Sequence, residues 1–292
     1  MYKPMDNRTK DTLLAISAII LLTLLNLFVP LFSLFVLVVW PIPVVIIAVK
    51  HNINQAGLVI GAAALINGIF LSPLMGLMTV IGFGFIGFVL GGCINENLSP
   101  LKSLIFTILA VLLSQTLIFG VSTYIIGYNF NHIINNTLDM LLQTPQIDQT
   151  LITQFKSIIT MLFPAMVIIS STVMGILNYF VSIWFLNKQG YDIETFTPIH
   201  YWRFPKLLVT LGILLTLIFN YHKFLVNINV ILFFVAFLQG FAVGFFYINK
   251  RDSFFLNTLY IFLVLIIPFL SIGLIFIGLV DMWFDLRKLS KN

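Results

Sequence analysis

Residues 12–49 read TLLAISAIILLTLLNLFVPLFSLFVLVVWPIPVVIIAV, an apolar stretch closed by Asp11 and Lys50 with no charged side chain between them. A helix needs about 20 such residues to cross a hydrocarbon core roughly 30 Å thick, so the stretch is long enough for two crossings. Pro30 falls between the two halves, where a turn is expected. The pattern recurs: no charge lies between Lys50 and Glu96, Lys102 and Asp139, Lys156 and Lys188, Lys223 and Lys250, or Asp252 and Asp281. These runs are continuous and do not alternate as barrel strands do, so the chain reads as an all-α, polytopic transmembrane helix bundle of 8–10 spans.

Composition agrees. Of 292 residues 60% are hydrophobic and 9% charged, against about 25% charged in soluble domains. Working spans are 12–29, 31–49, 56–72, 74–94, 103–127, 157–187, 205–221, 227–248 and 254–284. Residues 1–11 form a basic tail ahead of the first span, which lacks a small-residue cleavage pattern after its apolar run and so reads as uncleaved. The lone Cys93 leaves no partner for an intramolecular disulfide and reads as an inert membrane residue.

Cytoplasmic loops retain Lys and Arg, so with a cytoplasmic N-terminus thirteen of the fifteen basic residues fall inside, leaving only Lys156 and Lys223 outside. That count requires 254–284 to turn back at Pro268. A single long helix, with Arg287, Lys288 and Lys291 on the far side, is the alternative. The expected location is a bacterial cytoplasmic membrane. The net charge of +5 suits an anionic inner leaflet rather than nucleic acid, because the basic residues form no contiguous patch. The large segment 128–156 places Ile133, Ile134, Leu138, Leu141 and Leu142 at near-helical spacing and predicts an interfacial amphipathic helix, as a lid or simply lying on the bilayer. The Asn135-Asn136-Thr137 sequon reads as a chance match.

Gly57, Gly61, Ala64 and Gly68 share one stripe of the third span, and Gly84, Gly87 and Gly91 one of the fourth, which predicts close helix packing. Trp40-Pro41-Ile42-Pro43 interrupts the second span and frees backbone carbonyls, either lining a binding site or bending a helix that its neighbours repair. Uncharged amides are the polar groups inside the spans: Asn67, Gln115, Asn178, Asn220 and Gln239. Trp40, Asn67, Gln115 and Asn178 are the ligand-binding candidates, with helix–helix hydrogen bonding as the competing use. No ionisable group sits mid-span to relay protons.

Loop 188–206 carries Trp202 and Arg203, and the C-terminus carries Asp281, Asp285 and Arg287. These are candidates for a protein partner, or for headgroup anchoring and an Asp285–Lys288 pair closing the last helix. No HExxH, GxSxG or GxxxxGK[ST] motif occurs, so no enzyme, metal or cofactor is expected.

The run Ile277-Gly278-Leu279-Val280-Asp281-Met282-Trp283-Phe284-Asp285-Leu286-Arg287-Lys288, with Trp202-Arg203-Phe204-Pro205 opening a late span, resembles the YybS-type family of uncharacterised bacterial membrane proteins. The first half of that family resembles the substrate-binding S components of energy-coupling-factor transporters. The resemblance implies a six-helix bundle over 12–187, a cytoplasmic loop 188–206, additional helices over 207–284 and a basic tail 285–292. At one position the chain departs from S components: Ala15 is followed four residues on by Ile19 rather than by a second alanine of their docking face. The function expected is binding of a small molecule within the bundle, in a transport setting; recruitment of a cytoplasmic protein through 188–206 and 285–292 is the alternative.

Overall fold

The structure, a computed structural model, describes residues 6–125, 127, 136, 149–218, 222–251 and 253–289. The described secondary structure is helical throughout. Seven stretches are long and apolar enough to cross a membrane: Asn7–Phe28, Pro30–Lys50, Ile53–Phe70, Pro73–Asn95, Pro100–Tyr124, Thr150–Lys188 and Lys223–Asn249. The pair Phe254–Ile266 and Pro268–Phe284 is long and apolar enough only when taken together and is bent by 107° between its halves, and Lys206–Ile218 is a shorter apolar helix. The amphipathic helix expected within 128–156 lies mostly outside the described residues, as does Asn220.

The chain forms two compact units. Unit 1 comprises Met1–Thr144 and Ser170–Phe196; unit 2 comprises Pro145–Ile169 and Thr197–Asn292.

In unit 1 the helices are α1 (Asn7–Phe28), α2 (Ser33–Val39), α3 (Ile42–Lys50), α4 (Ile53–Phe70), α5 (Pro73–Thr79), α6 (Phe85–Asn95) and α7 (Pro100–Tyr124), with the latter part of α8 (Gln149–Lys188). Their starts follow from local chemistry. The Asn52 side chain accepts the Gln55 N–H at 2.8 Å and Ser72 accepts that of Met75 at 3.2 Å, satisfying N-terminal donors that have no partner within the helix. Pro73 and Pro100 occupy first-turn positions where no N–H is needed.

Pro41 and Pro43 divide the second span into α2 and α3. α6 packs onto this break so tightly that a methyl group at Gly87 would collide with the Pro41 carbonyl and Val44, and one at Gly91 with Ala48. The Gly84–Gly91 stripe thus serves the α3 contact, with Gly84 itself against Thr79 and Ile60. The other stripe divides. Ala64 and Gly68 lie against Gly76, whereas Gly57 is only in ordinary contact with Phe88 and Gly61 faces open space. Between α5 and α6 a π-helical turn, Val80–Gly84, includes Gly82 at ψ −107°; such turns shift the side-chain register within a helix.

Unit 2 holds the first part of α8 together with α9 (Lys206–Ile218), α10 (Lys223–Asn249), α11 (Phe254–Ile266) and α12 (Pro268–Phe284). Pro164 lies inside α8, and the Asn227 amide is inserted at the break that follows it. Its Oδ1 accepts the Ala165 N–H at 2.9 Å and its Nδ2 donates to the Met161 carbonyl at 2.8 Å. One side chain therefore replaces a rung of the helix ladder.

Contacts fix the directions. Gly212 lies against Leu232 and Phe204 against Gln239, so α9 and α10 are antiparallel. Asn257 bonds Asn249 and Tyr260 bonds the Phe241 carbonyl, so α11 runs back along α10. Gly240 touches Leu274, Gly278 touches Ala236, and Tyr247 reaches the Leu286 carbonyl, so α12 again runs with α10. The bent pair therefore enters and leaves unit 2 at the end where α9 begins. A single straight helix over 254–284 is excluded by this geometry, and the residues after α12 return to the loop ahead of α9.

At the α10–α12 crossing, a methyl group on Gly240 would overlap the Leu274 carbonyl and one on Gly278 the Ala236 carbonyl. Gly240→Ala and Gly278→Ala should each cost about 1–3 kcal/mol by overpacking. Gly61→Ala should be neutral or slightly stabilising, since alanine is the better helix former. Thermal unfolding in detergent distinguishes them, and equal midpoints for all three variants would contradict this packing.

Candidate functional site

In unit 1 a slot of about 560 Å³ runs between α1 and α3 beside the end of α8. Its length is lined by carbon: Leu14, Ala18 and Leu22 on one wall, Ile42 and Ile46 on the other, Phe185 at the side. Ala15 and Ala18 make room on α1, and Pro43 opens the facing wall. From Asp11 to Leu22 the helical rise gives the slot a length of about 16 Å. Its volume lies within the roughly 300–1,000 Å³ of small-molecule pockets.

The slot has one polar end, made by Asp11, Lys50 and Gln189. Lys50 Nζ lies 2.7 Å from Asp11 Oδ2, and His51 Nε2 lies 2.9 Å from the same oxygen. Around it, Arg8 donates to Gln55 Oε1 at 2.7 Å and Gln55 Nε2 donates to Thr12 at 2.8 Å. The start of α1, the end of α3 and the start of α4 are tied together by these bonds.

The ligand-binding candidates fall elsewhere in unit 1. Trp40 and Asn67 are buried and joined through one hydroxyl: Trp40 Nε1 and Asn67 Nδ2 each donate to Thr23 Oγ1 at 3.2 Å, and Asn67 Nδ2 also donates to Thr79 Oγ1 at 2.9 Å. These side chains hold α1, α2, α4 and α5 together. Gln115 accepts from Ser171 at 2.8 Å and so joins α7 to α8. Asn178 is fully buried one turn from Ser182; neither side chain has a hydrogen-bond partner among the described residues. None of the four lines the slot. Three of them, Trp40, Asn67 and Gln115, spend their polar groups on bonds between helices, as polar side chains in hydrocarbon commonly do.

The C-terminal candidates do converge, in unit 2. Asp281 and Arg287 are both buried, with Arg287 Nη2 2.9 Å from Asp281 Oδ2. Gln239 Nε2 donates to that oxygen at 2.5 Å, while Gln239 Oε1 accepts the Phe204 N–H. Arg287 also donates to the carbonyls of His200 at 2.6 Å and Trp202 at 2.8 Å. Trp202 Nε1 donates to Thr197 O. Asp285 pairs with Arg203, and its carbonyl accepts the Lys288 N–H at 2.8 Å. α12 ends at Phe284, Asp285 adopts left-handed φ 46°, and the chain folds back so that Arg287 meets Asp281. This latch fastens loop 197–205 to the ends of α10 and α12.

The latch motif lies at the edge of a match between residues 15–282 and the model of the predicted membrane protein family DUF2232. The chain belongs to that family. It is 22% identical to the "Uncharacterized protein YybS" of Bacillus subtilis (strain 168), over 94% of this chain and 96% of that protein. No solved structure matches. The family is one of predicted membrane proteins, and the YybS similarity spans most of the chain.

Two outcomes follow from the latch. Arg287→Ala strands the buried Asp281 and should cost about 3–5 kcal/mol, and the double variant Asp281→Leu with Arg287→Met should recover part of that loss. Arg203→Ala removes a more exposed pair and should cost below about 1 kcal/mol. Thermal unfolding that ranked Arg203→Ala with Arg287→Ala would contradict the latch. His200, with its Nδ1 buried and unpaired, is held below the usual histidine pKa by burial and then by the Arg287 charge. The unfolded chain therefore binds the His200 proton more readily, so stability should fall as pH drops through the ordinary histidine range near about 6.5. His200→Phe should flatten that part of the stability–pH profile.

Proposed function

We propose that the chain is a membrane-embedded binding protein whose α1–α3 slot accepts the hydrocarbon part of an amphipathic small molecule. The observation that carries this reading is the slot's asymmetry, carbon-lined along its length with charge at one end only. A soluble polar metabolite would meet no hydrogen-bonding groups along those walls, whereas a chain with a polar head matches both parts. In this reading the S-component likeness makes the molecule the binding part of a transport system, and the basic ends of unit 1 lie in the cytoplasm with the N-terminus.

Recruitment of a cytoplasmic protein through 188–206 and 285–292 draws less support. Trp202, Arg203, Asp281, Asp285 and Arg287 direct their polar groups to one another and to the loop backbone.

Ala18→Phe tests the proposal, because the added ring would occupy the slot without touching the Thr23–Asn67 network. A diazirine-bearing fatty-acyl probe in detergent micelles should label peptides around 11–22 and 39–50 in the native protein. That labelling should fall severalfold in Ala18→Phe while the thermal midpoint stays near the native value. Labelling spread evenly over all apolar helices, or unchanged in the variant, would sink the proposal.

A further inference from the structure

The polar end of the slot points to the chemistry of the head. Asp11 is the one carboxylate lining the slot among the described residues, and both Lys50 and His51 already hold it. Lys50 commits one N–H to Asp11 and keeps its side chain 44% exposed at the slot's mouth. Arg8 and Lys10 stand exposed on the turn of α1 that carries Asp11, and Lys188 stands exposed next to Gln189. Against these four cations there are Asp11, the exposed Asp6 and the exposed Asp192 three residues past Gln189. The mouth therefore presents spare donors and net positive charge, with no uncommitted carboxylate lining the slot.

Resting on the binding proposal above, we propose that the slot is a site for an anionic phospholipid, with one acyl chain along α1 and α3 and the headgroup phosphate at Lys50. A phosphate offers only acceptors, which is what spare ammonium and guanidinium donors require. A choline headgroup adds a cation that would find Asp11 already shared between Lys50 and His51, while a glycerol headgroup adds none. The roughly 16 Å of apolar wall takes an extended chain from this end toward the bilayer interior. Phosphatidylglycerol should therefore occupy the site in preference to phosphatidylcholine carrying the same chains.

Competition against the acyl photoprobe reads this directly. On the native protein, phosphatidylglycerol should displace the label from the α1 and α3 peptides at about one-tenth the concentration of phosphatidylcholine, the scale of one unfavourable contact between the choline cation and the cationic mouth. High salt should narrow the gap. Lys50→Gln should narrow the gap between the two lipids, while Asp11→Asn, which removes a negative charge and leaves Lys50, should keep or widen the preference. Equal competition on the native protein, with the label still confined to α1 and α3, would overturn the headgroup assignment and leave the amphiphile slot standing. A label not confined there would overturn both. A preference undiminished in a folded Lys50→Gln protein would overturn the role of Lys50.

Discussion

Hydrocarbon offers no hydrogen bonds, so each backbone break inside a span must be answered by the protein itself. That constraint organises both units. The prolines that divide the second span are covered by the Gly87 face of α6. The Pro164 break is repaired by Asn227, and the bend at Pro268 places the proline at the first turn of α12, where no donor is required. Polar side chains obey the same rule at Thr23, Asn67 and Thr79, which bond one another across three helices.

The constraint also separates the two polar clusters. The latch in unit 2 is closed: Asp281 and Arg287 are enclosed, and Gln239 with the His200 and Trp202 carbonyls completes their bonding. An enclosed pair of this kind contributes little net stability but is costly to break, which suits fixing one arrangement of loop and helix ends. At the slot mouth the pairing is looser, and Lys50 retains exposure and donors. One cluster is built to hold position; the other can still accept a partner.

Apolar run length made the spans legible. The expected 31–49, 74–94 and 103–127 lie within a few residues of Pro30–Lys50, Pro73–Asn95 and Pro100–Tyr124, because bilayer thickness sets length and proline or polar residues set the ends. The Pro268 turn was legible from the side on which basic residues had to fall. Less could be read of contacts made across long separations. Asn227 looks like an ordinary first-turn residue until Pro164 is placed beside it, 63 positions earlier in the chain. Arg287 lies off the Asp281 face on a helical wheel, and only the left-handed Asp285 turns it back. Gly240 shares a small-residue stripe with Ala236 and Gly244, but Gly278 has no small residue four positions away on either side, so the close crossing of their helices shows only in the structure. The slot left almost no sequence signal, since its walls are the same leucines, isoleucines and alanines that fill any span.

The repair at Pro164 carries a consequence for assembly of the chain. During synthesis α8 emerges well before Asn227, so its fracture must enter the membrane with the Met161 carbonyl and the Ala165 N–H lacking the groups that later engage them. Until the start of α10 follows, that point is a site of incomplete bonding in a solvent that cannot compensate. Completion of α8 is thus deferred to a later helix, and biogenesis acquires an order: the sixth long apolar stretch reaches its finished form only after a later span has delivered one amide.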